Sequence, residues 1–412
     1  MTRSSSTNEQ TSWPDAASRG EPLHMKGRVA VALSAIILAA CAESPTSPTT
    51  PLKQGPTLAP LIRASGDGVE GQYIVVLKDE VQSTSEKAKA KAEKKGGKLK
   101  HAYVAVLNGF AAELSDEAVA DLRLDPEVAY IEQDQVVTLS ATQTGATWGI
   151  DRIDQRNRPL SGTYTYTSTG AGVRAYIIDT GIRPTHSQFG TRASTVYGGD
   201  DCNGHGTHVA GTIGGSTYGV AKGVLLRGVR VLNCSGSGTW SAIIAGMDWV
   251  RVNHIKPAVA NMSLGGGFSS SVNTAANNLA AAGVFVAVAA GNSNANACNY
   301  SPASASNVTS VMSSTSSDAK SSFSNHGSCT HVYAPGSSIT SAWHTSNTAI
   351  NTISGTSMAS PHVAGVAALY KATFGDASYS TIRSWIINNS TAGVISGNPS
   401  GTPNRLLYKS TL

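Results

Sequence analysis

The spacing of apolar residues changes near residue 141, and the part before that point predicts a small mixed domain. Three apolar runs, Gln72–Leu77, Ala102–Leu107 and Val128–Glu132, predict strands. Two charged segments, Ser83–Lys95 and Ser115–Leu124, predict helices, the second opened by a serine cap. We therefore expect an α+β domain of about 70 residues here.

From residue 141 onward, the pattern is that of a parallel α/β domain, in which short β-rich runs alternate with longer helical segments. Strands are predicted at Val173–Asp179, Lys222–Leu232, Ala258–Leu264 and Val284–Ala289, and helices at Thr239–Asn253 and Val272–Ala282. Such sheets carry functional residues at the carboxyl ends of their strands. The chemistry is therefore expected in the loops that follow these runs.

The start of the chain has the pattern of an export signal. Lys26 and Arg28 precede an apolar run, Val29–Ala40, which is too short to span a bilayer of roughly 30 Å. We expect a signal peptide over residues 25–41. Residues 1–24, which are polar and without pattern, are interpreted as a non-native or dispensable extension.

Two further features follow the apolar run. Leu38–Cys41 is typical of a bacterial lipobox, which predicts lipidation of Cys41; the alternative is an ordinary signal peptide with a chance cysteine. Residues 42–65 are rich in Pro, Thr and Ser and predict a semi-extended linker.

Charge is distributed unevenly along the chain. Counting Lys and Arg against Asp and Glu gives 6 and 4 (+2) for residues 1–65, 9 and 14 (−5) for 66–140, and 16 and 8 (+8) for 141–412. An acidic segment before a basic domain that lacks glutamate predicts two bodies that attract each other, rather than a nucleic-acid binder. The lack of a Gly-X-Y period and of long apolar runs excludes collagen and a polytopic membrane protein.

Four cysteines follow the signal region: Cys202, Cys234, Cys298 and Cys329. In an oxidising compartment, they are expected to form disulfides. Their spacing allows three pairings and does not choose among them. No CxxC spacing is present, so a zinc site is not expected.

Two segments offer a carboxylate and an imidazole. Asp179 ends an apolar strand, which alone indicates an Asx turn. His205 lies among glycines in Asn203–Gly211, at the start of a predicted helix; alone, such a histidine is usually structural. Together with His208 it could suggest a metal site, but the glutamate of a zincin is missing.

A third segment offers a hydroxyl. Ser357 enters a predicted helix within Ser354–Gly365. The partial positive charge and free N–H groups of a helix amino terminus stabilise a developing anion there, although such a serine is also a common N-cap. The order Asp179, His205, Ser357 is one of the chain orders known for catalytic triads.

These three segments closely resemble the signature motifs of the subtilisin-like serine peptidases. Tyr300–Ala303 and Gly246–Asp248 indicate the proteinase K subgroup. The resemblance covers nearly all of residues 66–412. It implies a three-layer α/β catalytic domain with a mostly parallel sheet at 141–412, preceded by an inhibitory, ferredoxin-like α+β propeptide at 66–140.

The resemblance also implies roles for single residues. Ser357 would attack the scissile carbonyl, His205 would take its proton, and Asp179 would orient the imidazole. Asn292 and the backbone N–H of Ser357 would bind the oxyanion. His208 is implied only as a structural neighbour.

A peptide substrate is expected to bind by extended backbone pairing. By resemblance, the residues that would contact it are Gly236, Ser237, Gly238, Ser263, Leu264, Gly265, Ala289, Ala290 and Gly291. Trp240 would border a further pocket, or else belong to the core. Small residues make an open cleft, which predicts broad cleavage with a preference for aliphatic or aromatic side chains.

The resemblance further implies structural calcium, held by Asp151, Asp154 and Gln155. Ser161 stands where relatives carry another acid, which weakens this site. At a second calcium position of the family, His331 replaces an aspartate, which puts that site in doubt. The alternative is that the two aspartates are surface acids paired with Arg152 or Arg156.

The same pattern implies the disulfides Cys202–Cys234 and Cys298–Cys329, each closing a loop of roughly 30 residues worth about 3–4 kcal/mol in the chain-entropy model. The expected function is an exported, self-processing, monomeric serine endopeptidase that acts on polypeptides. Its precursor would lie in the cell envelope and the mature enzyme outside the cell. A silent surface lipoprotein would predict a substituted triad, and an ester hydrolase would favour a Gly-x-Ser-x-Gly elbow; neither feature is present.

Overall fold

The computed structural model describes residues 57–64, 68–82, 84–135 and 140–412. The predicted extension, the signal peptide and Cys41 lie outside these residues. In the part of the chain that is described, no helix has the length and apolar character needed to cross a bilayer.

The acidic segment folds as an α+β sheet domain together with the end of the predicted linker, because Leu61 and Ile62 pair with its last strand instead of remaining in a semi-extended spacer. Its elements are β1 (Leu61–Ile62), β2 (Gly68–Leu77), α1 (Ser85–Lys94), β3 (Lys98–Tyr103), β4 (Gly109–Glu113), α2 (Asp116–Arg123) and β5 (Val128–Gln135). The sheet order is β1-β5-β2-β4-β3, antiparallel apart from the β1–β5 pair. The two helices connect β2 to β3 and β4 to β5, which gives the predicted ferredoxin-like arrangement.

Two strands of this domain differ from the prediction. The strand expected at Ala102–Leu107 lies instead at Lys98–Tyr103, and Val106 in the following bend is 97% exposed. Apolar side chains there occupy a solvent loop rather than a sheet. The pattern also misses β4, because its glycine and alanines have low strand propensity although four of its five residues are buried.

The basic segment contains a nine-stranded main sheet and three two-stranded sheets. The strands of the whole segment are β6 (Ala141–Thr144), β7 (Thr163–Tyr166), β8 (Arg174–Asp179), β9 (Ala193–Tyr197), β10 (Leu225–Arg230), β11 (Ala258–Met262), β12 (Gly266–Gly267), β13 (Phe285–Ala289), β14 (Tyr300–Ser301), β15 (Thr309–Ser314), β16 (Val332–Pro335), β17 (Ile339–Ala342), β18 (Ile350–Ile353), β19 (Thr391–Ala392) and β20 (Arg405–Leu406). The two-stranded sheets are β6–β7, β12–β14 and β17–β18. The order in the main sheet is β19-β20-β16-β15-β13-β11-β8-β10-β9, parallel apart from β19–β20.

Helices cover both faces of this sheet. They are α3 (Trp148–Asp154), α4 (His205–Gly214), α5 (Trp240–Asn253), α6 (Ser270–Ala281), α7 (Thr356–Phe374) and α8 (Tyr379–Asn389), with a short 3₁₀ turn at Ala297–Asn299. Along β8, Ala175 and Ile177 join the core formed with α4 and α7, whereas Tyr176 and Ile178 join the core formed with α5 and α6. This alternation produces the predicted three-layer architecture.

The parallel sheet places its loops at one edge. Asp179 is the last residue of β8, and the segments after β10, β11 and β13 begin at the same ends of neighbouring strands. Residues 141–144, at the start of the basic segment, form β6, which pairs antiparallel with β7.

Candidate active site

Asp179 and His205 form a hydrogen-bonded pair. Asp179 is completely buried, and its carboxylate oxygens lie 2.8 and 3.0 Å from Nδ1 of His205. The backbone N–H of Thr180 donates to the same carboxylate at 2.7 Å. His205 is the first residue of α4, and Gly204 before it has φ of +112°, a conformation that L side chains avoid. The turn therefore fixes the imidazole against the strand end.

Electrostatics favour the charged form of this imidazole. Burial alone would lower the pKa of His205, but the charge and hydrogen bond of Asp179, with a smaller contribution from Asp201, outweigh burial and raise the pKa above its usual 6.5. A carboxylate that stabilises imidazolium is what a general base requires when it accepts a proton.

Ser357 is the second residue of α7 and lies at the same cleft. Its Oγ donates to the carbonyl of Ser263 at 3.1 Å, and its own carbonyl accepts from Oγ of Ser263 at 2.7 Å. Within the described residues, the hydroxyl thus bonds to Ser263 rather than to His205. Catalytic hydrogen bonds are often long or misaligned without substrate, and the reactive arrangement would require Oγ to turn from Ser263 toward His205.

Two donors converge beside the serine. Oδ1 of Asn292 accepts from the backbone N–H and from Oγ1 of Thr356, both at 2.8 Å, which fixes Nδ2 on the opposite side of the amide. A Cβ placed on Gly355 would lie 3.5 Å from the backbone nitrogen of Ser357 and 3.6 Å from Nδ2 of Asn292. Both donors therefore border one small space, as an oxyanion site requires.

Thr356 is a residue that the sequence reasoning missed. It is fully buried, and its Oγ1 donates to Asn292 while accepting from the backbone N–H of Gly291 at 3.1 Å. A threonine before a serine carries no recognisable signal, because its partners lie more than 60 positions away in the sequence.

Two adjoining cavities border these groups and share Leu264, Gly265 and Gly266. The first, of about 690 Å³, is lined by His205, Ser263, the predicted residues Gly236, Ser237 and Gly238, and Trp240. The second, of about 300 Å³, is lined by Asn292, Ser357 and the predicted residues Ala289, Ala290 and Gly291. Tyr300, Ser301 and Ala303 complete its wall. All nine residues proposed for substrate contact thus lie along one cleft.

His208 lies apart from this cleft. Its ring is buried, and Nε2 contacts the carbonyl of Ile339 at 2.9 Å. Burial lowers the pKa of His208 to about 4, so the ring is neutral. This environment is that of a structural histidine.

The side chains at the first calcium position face one loop. The carboxylate of Asp151 accepts from N and Oγ of Ser161 and from the N–H of Gly162, and Oε1 of Gln155 accepts from the same N–H of Ser161. Oδ2 of Asp154 accepts from Thr165, and burial raises its pKa to about 6. These oxygens fit a hard cation in kind, but amide and hydroxyl donors already occupy them.

The alternative assignment for these acids is wrong. Asp151 is 2% exposed and is not a surface acid. Arg152 instead forms a two-pronged ion pair with Asp318, at 2.8 and 3.1 Å. At the second calcium position, His331 faces the guanidinium of Arg383, so the residues present do not fit a calcium ion. No cluster of three or more His, Cys, Asp or Glu within the described ranges could hold a metal.

Two disulfides join Cys202 to Cys234 and Cys298 to Cys329. They are the pairs that the resemblance implied. The first joins the loop just before His205 to the loop just before the Gly236–Gly238 segment, and the second lies close to Asn292 in the sequence.

Comparison with known proteins identifies the class. Residues 170–406 match the subtilase family, and residues 72–140 match the peptidase inhibitor I9 family. The chain therefore belongs to the subtilase family of serine endopeptidases and carries an I9 propeptide.

Particular relatives are similar over long stretches. The chain is 48% identical to an extracellular serine proteinase of Thermus sp. (strain Rt41A) over 410 residues, covering 93% of this chain and 99% of the relative. It is 53% identical to alkaline serine exoprotease A of Vibrio alginolyticus over 318 residues, covering 74% of this chain and 59% of that protein. A solved cold-adapted subtilisin-like serine proteinase matches with a TM-score of 0.63 and 52% identity, covering 65% of this chain and 99% of that one.

Proposed function

We propose that the protein is an exported endopeptidase that cleaves peptide bonds through Asp179, His205 and Ser357. The observation that carries this proposal is the hydrogen-bonded pair of the buried Asp179 and the partly exposed His205, at the cleft that also holds Ser357. In the first step, Oγ of Ser357 forms a bond to the scissile carbonyl carbon while its proton passes to Nε2 of His205. The carbonyl oxygen becomes an anion, bound by the N–H of Ser357 and Nδ2 of Asn292. Collapse of this intermediate breaks the C–N bond, and His205 returns the proton to the leaving amine.

The remaining half-reaction restores the enzyme. Water attacks the acyl-serine ester, His205 takes the proton from the water, and the hydroxyl of Ser357 is regenerated as the carboxylic acid leaves. Asp179 holds Nδ1–H throughout, so the imidazole keeps one tautomer and stays ionised long enough to pass the proton on.

The substrate class follows from the cleft. Gly236–Gly238 and Ser263–Gly265 offer backbone groups on two sides of an extended chain. Ala289, Ala290 and Gly291 line the cavity next to the nucleophile with small, uncharged groups. We therefore assign broad specificity, with aliphatic or aromatic side chains preferred before the cleaved bond.

The acidic domain acts as intramolecular chaperone and inhibitor. Its charge of −5 is opposite to the +8 of the catalytic segment, which favours their association. Cleavage before Ala141 frees the enzyme, and a lipid on Cys41 would remain with the propeptide, so the monomeric enzyme diffuses away from a precursor held at the cell envelope.

Calcium binds only weakly at Asp151, Asp154 and Gln155, because it must displace hydrogen bonds already made there.

Two measurements on paired variants test the catalytic assignment. Wild type and Ser357→Ala are compared by intact mass, amino-terminal sequencing and labelling with a fluorophosphonate, with Ser354→Ala, an exposed serine three positions upstream, as the matched control. Wild type and the control should show a new amino terminus near Ala141 and one label. Ser357→Ala should remain a full proenzyme without label; processing or labelling of this variant would overturn the assignment.

A further inference from the structure

One nitrogen of Arg383, Nη1, binds two carbonyl groups of the segment 306–308, which follows the wall of the substrate cavity in the chain. Arg383 lies on α8, and its Nη1 donates to the carbonyl oxygens of Ser306 and Val308, at 2.8 and 3.2 Å. Nε2 of His331 lies 3.3 Å from the same nitrogen. Two backbone carbonyls thus converge on one cationic atom beside the histidine ring, and carbonyl oxygens are groups that proteins also offer to hard metal cations.

The hydrogens in this cluster can be accounted for one by one. Nη1 of Arg383 carries two, and each has its own carbonyl. Nδ1 of His331 accepts from the backbone N–H of Ser310 at 3.1 Å, so in the neutral ring Nε2 carries the hydrogen and only packs against the guanidinium. Burial and the nearby Arg383 and Arg405 lower the pKa of His331 to about 4, which keeps the ring neutral. The cluster therefore contains one positive charge and no carboxylate ligand.

The neighbours of Arg383 hold the same segment. Its guanidinium lies over the ring of Tyr379, 5.3 Å from the ring centre, one helical turn earlier on α8. The hydroxyl of Tyr379 donates to Oδ1 of Asn307 at 2.7 Å, and the backbone N–H of Asn307 donates to Oδ1 of Asn277 on α6 at 2.8 Å. Each of the three residues from 306 to 308 is thus tied to a helix.

This segment continues directly from the cavity wall. Tyr300, Ser301 and Ala303 line the cavity that contains Ser357. The backbone N–H of Ser304 donates to the carbonyl of Tyr300 at 2.9 Å, and that of Ala305 donates to the carbonyl of Pro302 at 3.0 Å. These tight turns connect the cavity wall to Ser306 without a flexible linker. A loss of order at residues 306–308 would therefore also displace the residues of the cavity wall.

We propose that Arg383 is a built-in cation that replaces calcium at the second family position and thereby positions the wall of the substrate cavity. The guanidinium supplies the positive charge that the two carbonyls require, and the neutral His331 fills the place of an acidic ligand. This part of the fold consequently has no need for calcium. The replacement of calcium is tested on folding and metal binding, whereas the positioning of the cavity wall rests on the proposed function.

The test compares four proteins on the inactive Ser357→Ala background, which prevents self-digestion: the parent, Arg383→Ala, the double variant His331→Asp/Arg383→Ala, and Arg251→Ala as an exposed arginine control. Melting temperature is measured with EGTA and with millimolar calcium, and bound calcium is counted by calorimetry. Arg383→Ala should melt roughly 5–10 °C below the parent in both buffers, because two charged hydrogen bonds are lost, whereas Arg251→Ala should not change.

The double variant is the decisive test, because Arg383→Ala opens a space beside the two carbonyls and His331→Asp adds a carboxylate there. It should bind one calcium ion more than the parent and recover most of the lost melting temperature only when calcium is present. An unchanged melting temperature for Arg383→Ala would overturn the proposal, and so would a double variant that gains neither an ion nor stability. If Arg383→Ala fails to fold, the calcium response of the double variant decides alone.

The positioning role has its own readout on the active enzyme. With peptide substrates that carry a large aromatic residue before the cleaved bond, Arg383→Ala should raise KM severalfold while kcat changes less, because the wall rather than the triad is loosened. Calcium should restore KM in the active His331→Asp/Arg383→Ala protein. A fall in kcat with unchanged KM would contradict this role.

Discussion

Asn292 and Thr356 are joined by two hydrogen bonds that end on one atom: both the N–H and Oγ1 of Thr356 donate to Oδ1 of Asn292, each at 2.8 Å. The amide of Asn292 is exposed to the cleft, yet it cannot turn over without losing both bonds. Its NH₂ group is therefore held ready for the substrate before any substrate arrives.

Thr356→Val should separate the contribution of the hydroxyl from that of the backbone. The variant keeps the side-chain volume but removes one of the two bonds to Asn292, together with the acceptor for the N–H of Gly291. We therefore expect kcat to fall about tenfold, a part of the 10²–10³ that the loss of a whole oxyanion donor costs. KM should change little, and Thr356→Ser should retain most of the activity. Steady-state kinetics on a peptide nitroanilide would check this; equal losses in the valine and serine variants would argue against it.

The pH dependence of kcat/KM should reflect the raised pKa of His205. Protonated His205 cannot take the proton from Ser357, so activity should rise with pH through a midpoint above 6.5. The same ion pair stabilises the fold fully below pH 6.5, and this contribution is lost as the pH rises through the raised pKa. A pH profile with its acidic midpoint below 6.5 would contradict the electrostatic picture.

The isolated segment 66–140 should inhibit the mature enzyme at micromolar concentration, with an association rate that falls as salt rises. Neutralising two exposed acids, Asp79→Asn and Glu80→Gln, should slow association, whereas the matched change Lys78→Gln should quicken it. Stopped-flow measurement of inhibition at several ionic strengths provides the readout. No inhibition at this concentration would exclude the inhibitory role.

Replacement of both Cys298 and Cys329 by serine should lower the melting temperature by roughly 10 °C. The bridge closes a loop with a sequence separation of 31, which corresponds to about 3–4 kcal/mol of loop entropy in the unfolded chain. The denaturant midpoint should fall in parallel. A shift of less than about 2 °C would mean that the unfolded loop is already compact without the bridge.

From the sequence, the architecture could be predicted more accurately than the contacts between residues distant in the chain. The runs that became β8, β11 and β13 are mostly apolar, as strands buried on both faces require, and their bounds were predicted within two residues. β15 was missed although all six of its residues are buried, because four of them are Ser or Thr and the pattern reads as a loop. α3 was missed because it is short and has no side-chain cap.

In the candidate site, too, residues within local motifs could be predicted, whereas residues that act through distant partners could not. Asp179, His205 and Ser357 stand in dense local motifs, and a resemblance could identify them. Thr356 and Arg383 have no local signature, since each acts on partners 64 to 77 positions away. Only the folded chain shows that an arginine stands near the place where the family pattern suggested a metal.

Ser357 lies 178 positions after Asp179, at the start of the helix that fills the middle of the domain. If Asp179, His205 and Ser357 act as proposed, a ribosome or export channel releases the acid and the base long before the nucleophile. In that mechanism, an unfinished chain cannot cleave peptide bonds, and the order in which the polypeptide emerges protects the producing cell from its own enzyme.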